Sequence, residues 1–138
     1  MESTGTSLLQ LPVRMHGIQL GRPIDLLLDL ETWHVLGFVV LCGDESLRFL
    51  PFAASNVAAD EIAVQSALML LDDVAFYEKR GRSFRSLLGG AVGAHGSLVD
   101  IRVERGGDAT DLEVAGDDRR SWIPAAGETV LCTRASAA

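Results

Sequence analysis

The chain has 138 residues, of which 48% are hydrophobic and 22% are charged, and its formal net charge at pH 7 is -7. This composition excludes an intrinsically disordered chain and supplies enough apolar side chains for one domain or two very small ones. An acidic surface repels phosphate backbones, so the charge also argues against broad nucleic-acid binding.

The sequence shows no sign of a membrane span or a leader. A membrane-spanning helix needs roughly 18 to 20 uninterrupted apolar residues, and acidic residues interrupt every long apolar run. Residues 1–10 lack the basic and apolar regions of a signal peptide. We therefore expect a cytoplasmic protein without a membrane span.

Two cysteines, Cys42 and Cys132, lie far apart in the sequence among apolar neighbours. This setting predicts two thiols buried in strands, in a reducing compartment. A disulfide or a redox pair is the alternative.

The first elements predicted in chain order are a frayed terminus, an edge strand and a hairpin. Residues 1–7 are small and polar, so they are expected to fray. Residues 8–13 form a short apolar run in which Pro12 cannot donate to a central ladder, and this predicts an edge strand. In residues 21–40 apolar side chains recur at every second position before a polar break, which predicts a β-hairpin.

The next elements predicted are two strands and a helix. A strand over residues 47–51 follows the hairpin, so that three strands form a meander. Residues 61–68 contain enough Ile and Val to predict one more strand. From residue 70 to residue 80, apolar spacings of three and four predict a helix, with acids near its start and bases near its end. Gly81 is expected to be the left-handed residue just past that helix, and residues 81–83 to be a linker.

The sequence contains an internal repeat, because several motif residues recur in the same order. The matched positions are Gly21 and Gly96, Asp25 and Asp100, and Pro51 and Pro124. The offset is 75 for the glycines and aspartates and 73 for the prolines, an even difference that leaves the two faces of each strand unchanged. The repeat predicts a second hairpin over residues 98–104 and 109–115, and a last strand over residues 129–133.

The repeat also predicts the fold class. A unit of a few short strands leaves open edges, and closing into a small barrel removes them. The expected fold is therefore mainly β, with two tandem small β-barrels from an internal duplication and a short connecting helix. The first unit would span residues 8–80 and the second residues 81–134.

The repeated residues resemble the PRC-barrel family, which includes a barrel of the photosynthetic reaction centre H subunit and the C-terminal half of a ribosome maturation factor. In the first copy the resemblance is carried by Gly21, Ile24-Asp25, Asp29-Leu30-Glu31-Thr32, Val35-Leu36-Gly37-Phe38-Val39-Val40, Phe49-Leu50-Pro51-Phe52 and Ile62-Ala63-Val64. In the second copy it is looser and is carried by Leu87-Leu88-Gly89, Val92, Gly96, Val99-Asp100 and Ile123-Pro124. The resemblance implies PRC-like barrels. Known members look like adaptors or assembly factors, so it also implies a protein partner.

The residues capable of catalysis or metal binding form no recognisable pattern. Asp25 and Asp100 belong to separate predicted units, so we expect them to accept backbone N–H bonds rather than to act as an acid–base pair. His16, His34 and His95 lie far apart in the sequence without ligand spacing. The sequence therefore predicts no catalytic site, no metal site and no cofactor.

Two features predict a contact surface. One basic cluster stands out in this acidic chain, formed by Lys79, Arg80, Arg82 and Arg85. It suits an anion or an acidic partner, and a solvated helix end is the alternative. Trp33, at a hairpin turn, is either an exposed contact residue or folded back over the other unit, whereas Trp122 is expected in the core.

The function predicted from these features is a non-enzymatic protein–protein interaction module or assembly adaptor. Its partner would be a protein, and a second copy of this chain, giving a homodimer, is one candidate. The alternative is a small-molecule or ion-binding module, with a ligand between the two barrels that Asp25, Asp100 or Arg85 holds in place.

Overall fold

A computed structural model describes residues 3–128 and residue 130. Over this part of the chain the fold is mainly β and consists of two multi-stranded sheets, as predicted at that level. Among the described residues, no helix is long and apolar enough to cross a membrane.

The first sheet contains the predicted meander. Its strands in spatial order are β5 (Leu47–Pro51), β4 (His34–Cys42), β3 (Ile18–Asp29), β2 (Val13–Met15), β7 (Ile62–Ala63) and β6 (Asn56–Val57), and β8 (Arg82–Ser83) also pairs with β3. The pairs β3–β4 and β4–β5 are antiparallel, so the hairpin and the third strand predicted from the period of two are confirmed.

The second sheet is built around the second predicted hairpin. Its strands in spatial order are β1 (Ser3–Thr4), β10 (Gly96–Val103), β11 (Ala109–Ala115) and β12 (Arg120–Pro124), and β9 (Ala91–Val92) also pairs with β10. The hairpin β10–β11 is confirmed. Most of the last strand predicted over residues 129–133 lies outside the described residues, and its one described member, Val130, forms an antiparallel bridge with Val92.

The helical segments are short. They are α1 (Gly5–Leu8), α2 (Val74–Glu78), α3 (Phe84–Leu87) and two 3-10 turns, Phe52–Ala54 and Ala67–Met69. Each of the three α-helices is preceded by an N-cap residue whose side chain accepts a backbone N–H: Thr4, Asp73 and Ser83.

Two predictions for the N-terminal segment are wrong. Ser3 and Thr4 form a strand, and the Thr4 hydroxyl accepts the Ser7 N–H at 3.1 Å in a reciprocal capping box, so described residues 3–7 are not frayed. Leu8 ends α1 instead of beginning a strand. The strand begins at Val13 and lies between β3 and β7 rather than at an edge, which Pro12 permits because it precedes the strand.

The structure also corrects the middle of the chain. The predicted helix over residues 70–80 is shorter, because Leu71 exchanges two backbone hydrogen bonds of 2.8 Å with Phe49 and so extends the sheet. Gly81 has no left-handed backbone; a Cβ there would lie 2.8 Å from Leu36 Cδ1. The predicted linker is β8, and the strand predicted over residues 61–68 is reduced to β7 and a 3-10 turn.

Both sheets contribute to one hydrophobic core. The main cluster of buried side chains includes Phe38 and Leu50 of the first sheet and Ile101 and Leu112 of the second, all 0% exposed. A smaller cluster covers the outer face of the first sheet, where Phe49 stacks on Tyr77 with ring centroids 4.1 Å apart. The two sheets therefore share one buried core, and α2 covers one outer face.

Candidate functional site

The short strand at the start of each half lies on the sheet of the other half. β1 pairs with β10, so that Ser3 lies opposite Val103. In the same way, β8 pairs with β3, so that Arg82 lies opposite Leu28. The helix that follows each strand, α1 or α3, packs against the same sheet as its strand. Each half therefore contributes a short strand to the sheet of the other half, across the unit boundary predicted at residue 80.

Asp25 fixes the crossing segment of the second half. Its Oδ1 accepts the Arg85 N–H at 3.1 Å and the Leu26 N–H at 2.8 Å, while its Oδ2 accepts the Ser83 hydroxyl. Because Arg85 lies in the first turn of α3, the carboxylate also faces the positive end of the helix dipole.

Asp100 makes the corresponding contacts with the crossing segment of the first half. Its Oδ1 accepts the Thr6 N–H, in the first turn of α1, at 3.0 Å and the Ile101 N–H at 2.8 Å. Asp100 is 9% exposed. Both aspartates follow an irregularity in strand register, between Pro23 and Asp25 and between Leu98 and Asp100, and a bulge of this kind re-aims the side chain that follows.

The turn of each main hairpin meets the turn of the other. The Val35 N–H donates to the Gly107 carbonyl at 2.8 Å, and the Ala109 N–H donates to the Trp33 carbonyl at 2.7 Å. Beside these bonds, His34 Nδ1 lies 3.2 Å from Asp108 Oδ1. This pair of bonds joins the two sheets at their hairpin ends.

Trp33 is buried in this junction. It is 4% exposed, and its indole N–H donates to the Glu128 carbonyl at 3.4 Å. Of the two alternatives for Trp33, the exposed contact residue is therefore wrong, and folding back over the other half is what the structure shows. Its φ of 52° lies in the left-handed region, which is uncommon for a residue other than glycine.

Trp122 lies on the outer face of the second sheet, at its edge strand. Sequence reasoning placed it in the core, but it is 37% exposed. The Arg102 guanidinium lies 4.3 Å from its ring centroid and also forms an ion pair of 3.2 Å with Asp111. The matching residue of the first sheet, Phe49, is 2% exposed because α2 covers it. Among the described residues no helix lies over Trp122 as α2 lies over Phe49, and nothing in the sequence next to Trp122 signals this difference.

The basic cluster of Lys79, Arg80, Arg82 and Arg85 does not form a uniform positive patch. All four side chains are exposed. Arg80 lies 4.3 Å from the Phe76 ring centroid, and Arg85 Nε donates to the Ile24 carbonyl. The groove beside the first three, of about 510 Å³, is also lined by acidic residues, namely Asp29, Glu31 and Glu128.

The repeated glycines lie where two stretches of backbone approach closely, and the repeated prolines lie at strand ends. A Cβ on Gly21 would lie 2.5 Å from the Leu41 carbonyl oxygen, and one on Gly96, whose φ is +133°, would lie 2.2 Å from the carbonyl oxygen of the facing strand. Pro51 and Pro124 end β5 and β12. These residues shape the strands and offer no reactive group.

No metal centre is present among the described residues, which contain no group of three or more His, Cys, Asp or Glu side chains able to hold an ion. His95 pairs with Glu128 at 3.5 Å, and His16 is exposed. Cys42 is half-buried, and burial raises the pKa of its thiol. Cys132 lies outside the described residues, so the prediction made for it has no structural counterpart.

Two comparisons with known proteins bear on the function of this chain. No family model and no curated protein matches it. Function is therefore inferred from the surfaces and cavities of the chain itself.

A cavity of about 460 Å³ lies between the two sheets. From the first sheet it is lined by the 3-10 turn at Phe52 and by the chain from Ser55 onwards, and from the second by β1 and the end of β10. Asp25, Asp100 and Arg85, which were predicted to hold a ligand between the units, do not line it. Arg85 instead borders a separate groove of about 360 Å³.

Proposed function

We propose that this chain is a non-enzymatic protein–protein interaction module or assembly adaptor, formed by two related PRC-barrel-like units. The observation that carries the proposal is the exposure of Trp122. Large aromatic side chains supply much of the binding energy of protein interfaces. Trp122 is 37% exposed on the last strand of the second sheet among the described residues, whereas its counterpart Phe49 is covered.

Matched contacts support the relation between the two units. Asp25 and Asp100 each follow a register shift and each accept an N–H from the first turn of a short helix. The two hairpin turns exchange bonds that are equivalent under the repeat. In this proposal a duplication produced the units, and each closes its barrel with the N-terminal strand and helix of the other.

The difference between the outer faces supports one contact surface rather than two. On the first sheet, apolar Leu27 and Val39 lie beneath α2. Arg102 and Glu113 occupy the matching positions of the second sheet, which suit a surface in contact with water when no partner is bound. A polar face around one exposed aromatic side chain is typical of a reversible interface.

A photo-crosslinking experiment in cells tests this proposal. A benzophenone amino acid replaces Trp122 in one variant and Ile18, which is 62% exposed on the first sheet, in a matched control. We expect a discrete protein adduct at position 122 that is absent at position 18. An adduct of twice the chain mass would identify a second copy as the partner.

The affinity of each variant for the purified partner shows whether Trp122 is a contact residue. Trp122→Ala should weaken binding by at least about thirtyfold, since an interface hot spot contributes about 2 kcal/mol or more, whereas Ile18→Ala should leave the affinity unchanged. Equal adducts at both positions, or equal affinities of the two variants, would count against a contact role for the second sheet.

Small-molecule binding between the units is a second candidate function, favoured by the cavity of about 460 Å³ that both sheets line. Its volume lies in the range of known ligand sites, about 300 to 1,000 Å³. This candidate uses other residues than the Trp122 face, so the two functions can be tested separately.

A further inference from the structure

The cavity between the sheets has an apolar floor. Leu8, Phe52 and Val103 line it and are 1%, 8% and 2% exposed. Ala58 and Ala59 complete one wall with short side chains. A floor of this kind favours a compact apolar group, because burying such a group removes its surface from water.

The rim carries two neighbouring charges of opposite sign. Glu104 and Arg105 follow β10 directly, and both side chains are exposed and line the cavity. Neither forms an ion pair or a side-chain hydrogen bond within the described part of the chain. Their turn is fixed by the bond from the Glu104 N–H to the Asp108 carbonyl at 2.8 Å, so the two charges are presented from a defined backbone.

Neutral polar groups also line the cavity. Asn56 offers a carboxamide, and Ser3 offers a hydroxyl. The Ser55 hydroxyl donates to the Phe52 carbonyl at 2.7 Å, which leaves its oxygen free to accept a bond. Such groups can fix the orientation of a bound ligand without changing the net charge of the site.

We propose that this cavity binds a free α-amino acid with an apolar side chain. The Glu104 carboxylate takes the α-ammonium group, Arg105 takes the α-carboxylate, and the side chain lies on the apolar floor. Glu104 and Arg105 are consecutive residues that both line the cavity, so one turn offers a partner for each charge of a zwitterion. The proposal rests on the second candidate function, for which it names the ligand class, and it is independent of the Trp122 face.

Titration of the full chain with L-leucine, followed by backbone amide NMR, tests the proposal. We expect saturable shifts at Val57, Glu104 and Arg105. N-acetyl-L-leucine lacks the ammonium group and L-leucinamide lacks the carboxylate, and each should bind about fivefold more weakly, as expected for the loss of one exposed ion pair. Glycine, which has no side chain for the floor, should bind more weakly still.

Variants that each remove one charge test whether the two rim residues bind leucine. Glu104→Gln and Arg105→Gln should each weaken leucine binding about fivefold. The matched controls Glu78→Gln and Arg119→Gln change exposed residues away from the cavity and should bind leucine like the unaltered chain. Absence of saturable shifts at millimolar leucine, shifts confined to other residues, or unchanged binding in both rim variants would overturn the proposal.

Discussion

The side chains that decide how the two halves fit together are two aspartates. Asp25 and Asp100 each accept a main-chain N–H from a segment that is 60 or 94 residues away in the chain. A carboxylate at the start of a helix accepts N–H groups that have no partner within the helix. Each aspartate therefore joins the start of one half to the sheet of the other.

Replacing Asp100 with Ala should destabilise the protein by about 1 to 3 kcal/mol, because the Thr6 and Ile101 N–H groups lose their acceptor in a site that is 9% exposed. Urea unfolding measures this loss. Asp118→Ala, at an exposed acid of a loop, is the control and should change stability by less than about 0.5 kcal/mol. Equal losses in the two variants would rule out the anchoring role of Asp100.

Cys42 should react slowly with thiol reagents. Its pKa is raised mainly by burial, so at any pH below that pKa a smaller fraction is present as the reactive thiolate than in an exposed cysteine. In a Cys132→Ser variant, alkylation by iodoacetamide at pH 8 should be slower in the native protein than in urea. Equal rates in the two states would show that the thiol is not protected.

At the scale of elements, α1 and α3 meet through a small and a large residue. Gly5 begins α1, and a Cβ there would lie 2.7 Å from Cζ of Phe84, which begins α3 and is 0% exposed. The absence of a side chain at Gly5 is therefore what allows the Phe84 ring to fill the contact. Two large residues at these positions would clash.

Gly5→Ala should therefore destabilise the protein by about 1 to 3 kcal/mol through overpacking. Adding Phe84→Leu should recover part of this loss, because the shorter side chain removes the clash. Thermal unfolding of both single variants and the double variant measures the coupling between the two sites. Strictly additive losses would show that the helices do not meet in this way.

The sequence predicted long elements well because their signal is local. In residues 24–29 apolar side chains recur at every second position, residues 35–41 form a second apolar run after a polar break, and β3 and β4 contain these two segments. Ser3–Thr4 and Arg82–Ser83 are too short to show a period, and their pairing depends on strands far away in sequence. Without that pairing, the first reads as a frayed end and the second as a linker.

The candidate contact residues were predicted less well, since exposure is a property of the whole molecule. Trp33 is buried because the turn of the second hairpin and Glu128 lie against it. Trp122 is exposed because no helix covers the outer face of the second sheet within the described residues. Neither fact can be predicted from the residues next to each tryptophan. Glu104 and Arg105 were not identified from the sequence, because only the structure places them beside the cavity.

At the scale of the whole molecule, the central claim is that the two sheets form one cooperative body, because they share a core and each holds the N-terminal segment of the other. Native-state amide hydrogen exchange of Leu112→Ala tests it. This residue is 0% exposed in the second sheet, and its truncation should cost about 2 to 5 kcal/mol. The slowest amides of β3 and β4 should lose as much protection as those of β10 and β11. Unchanged protection in β3 and β4 would contradict the account.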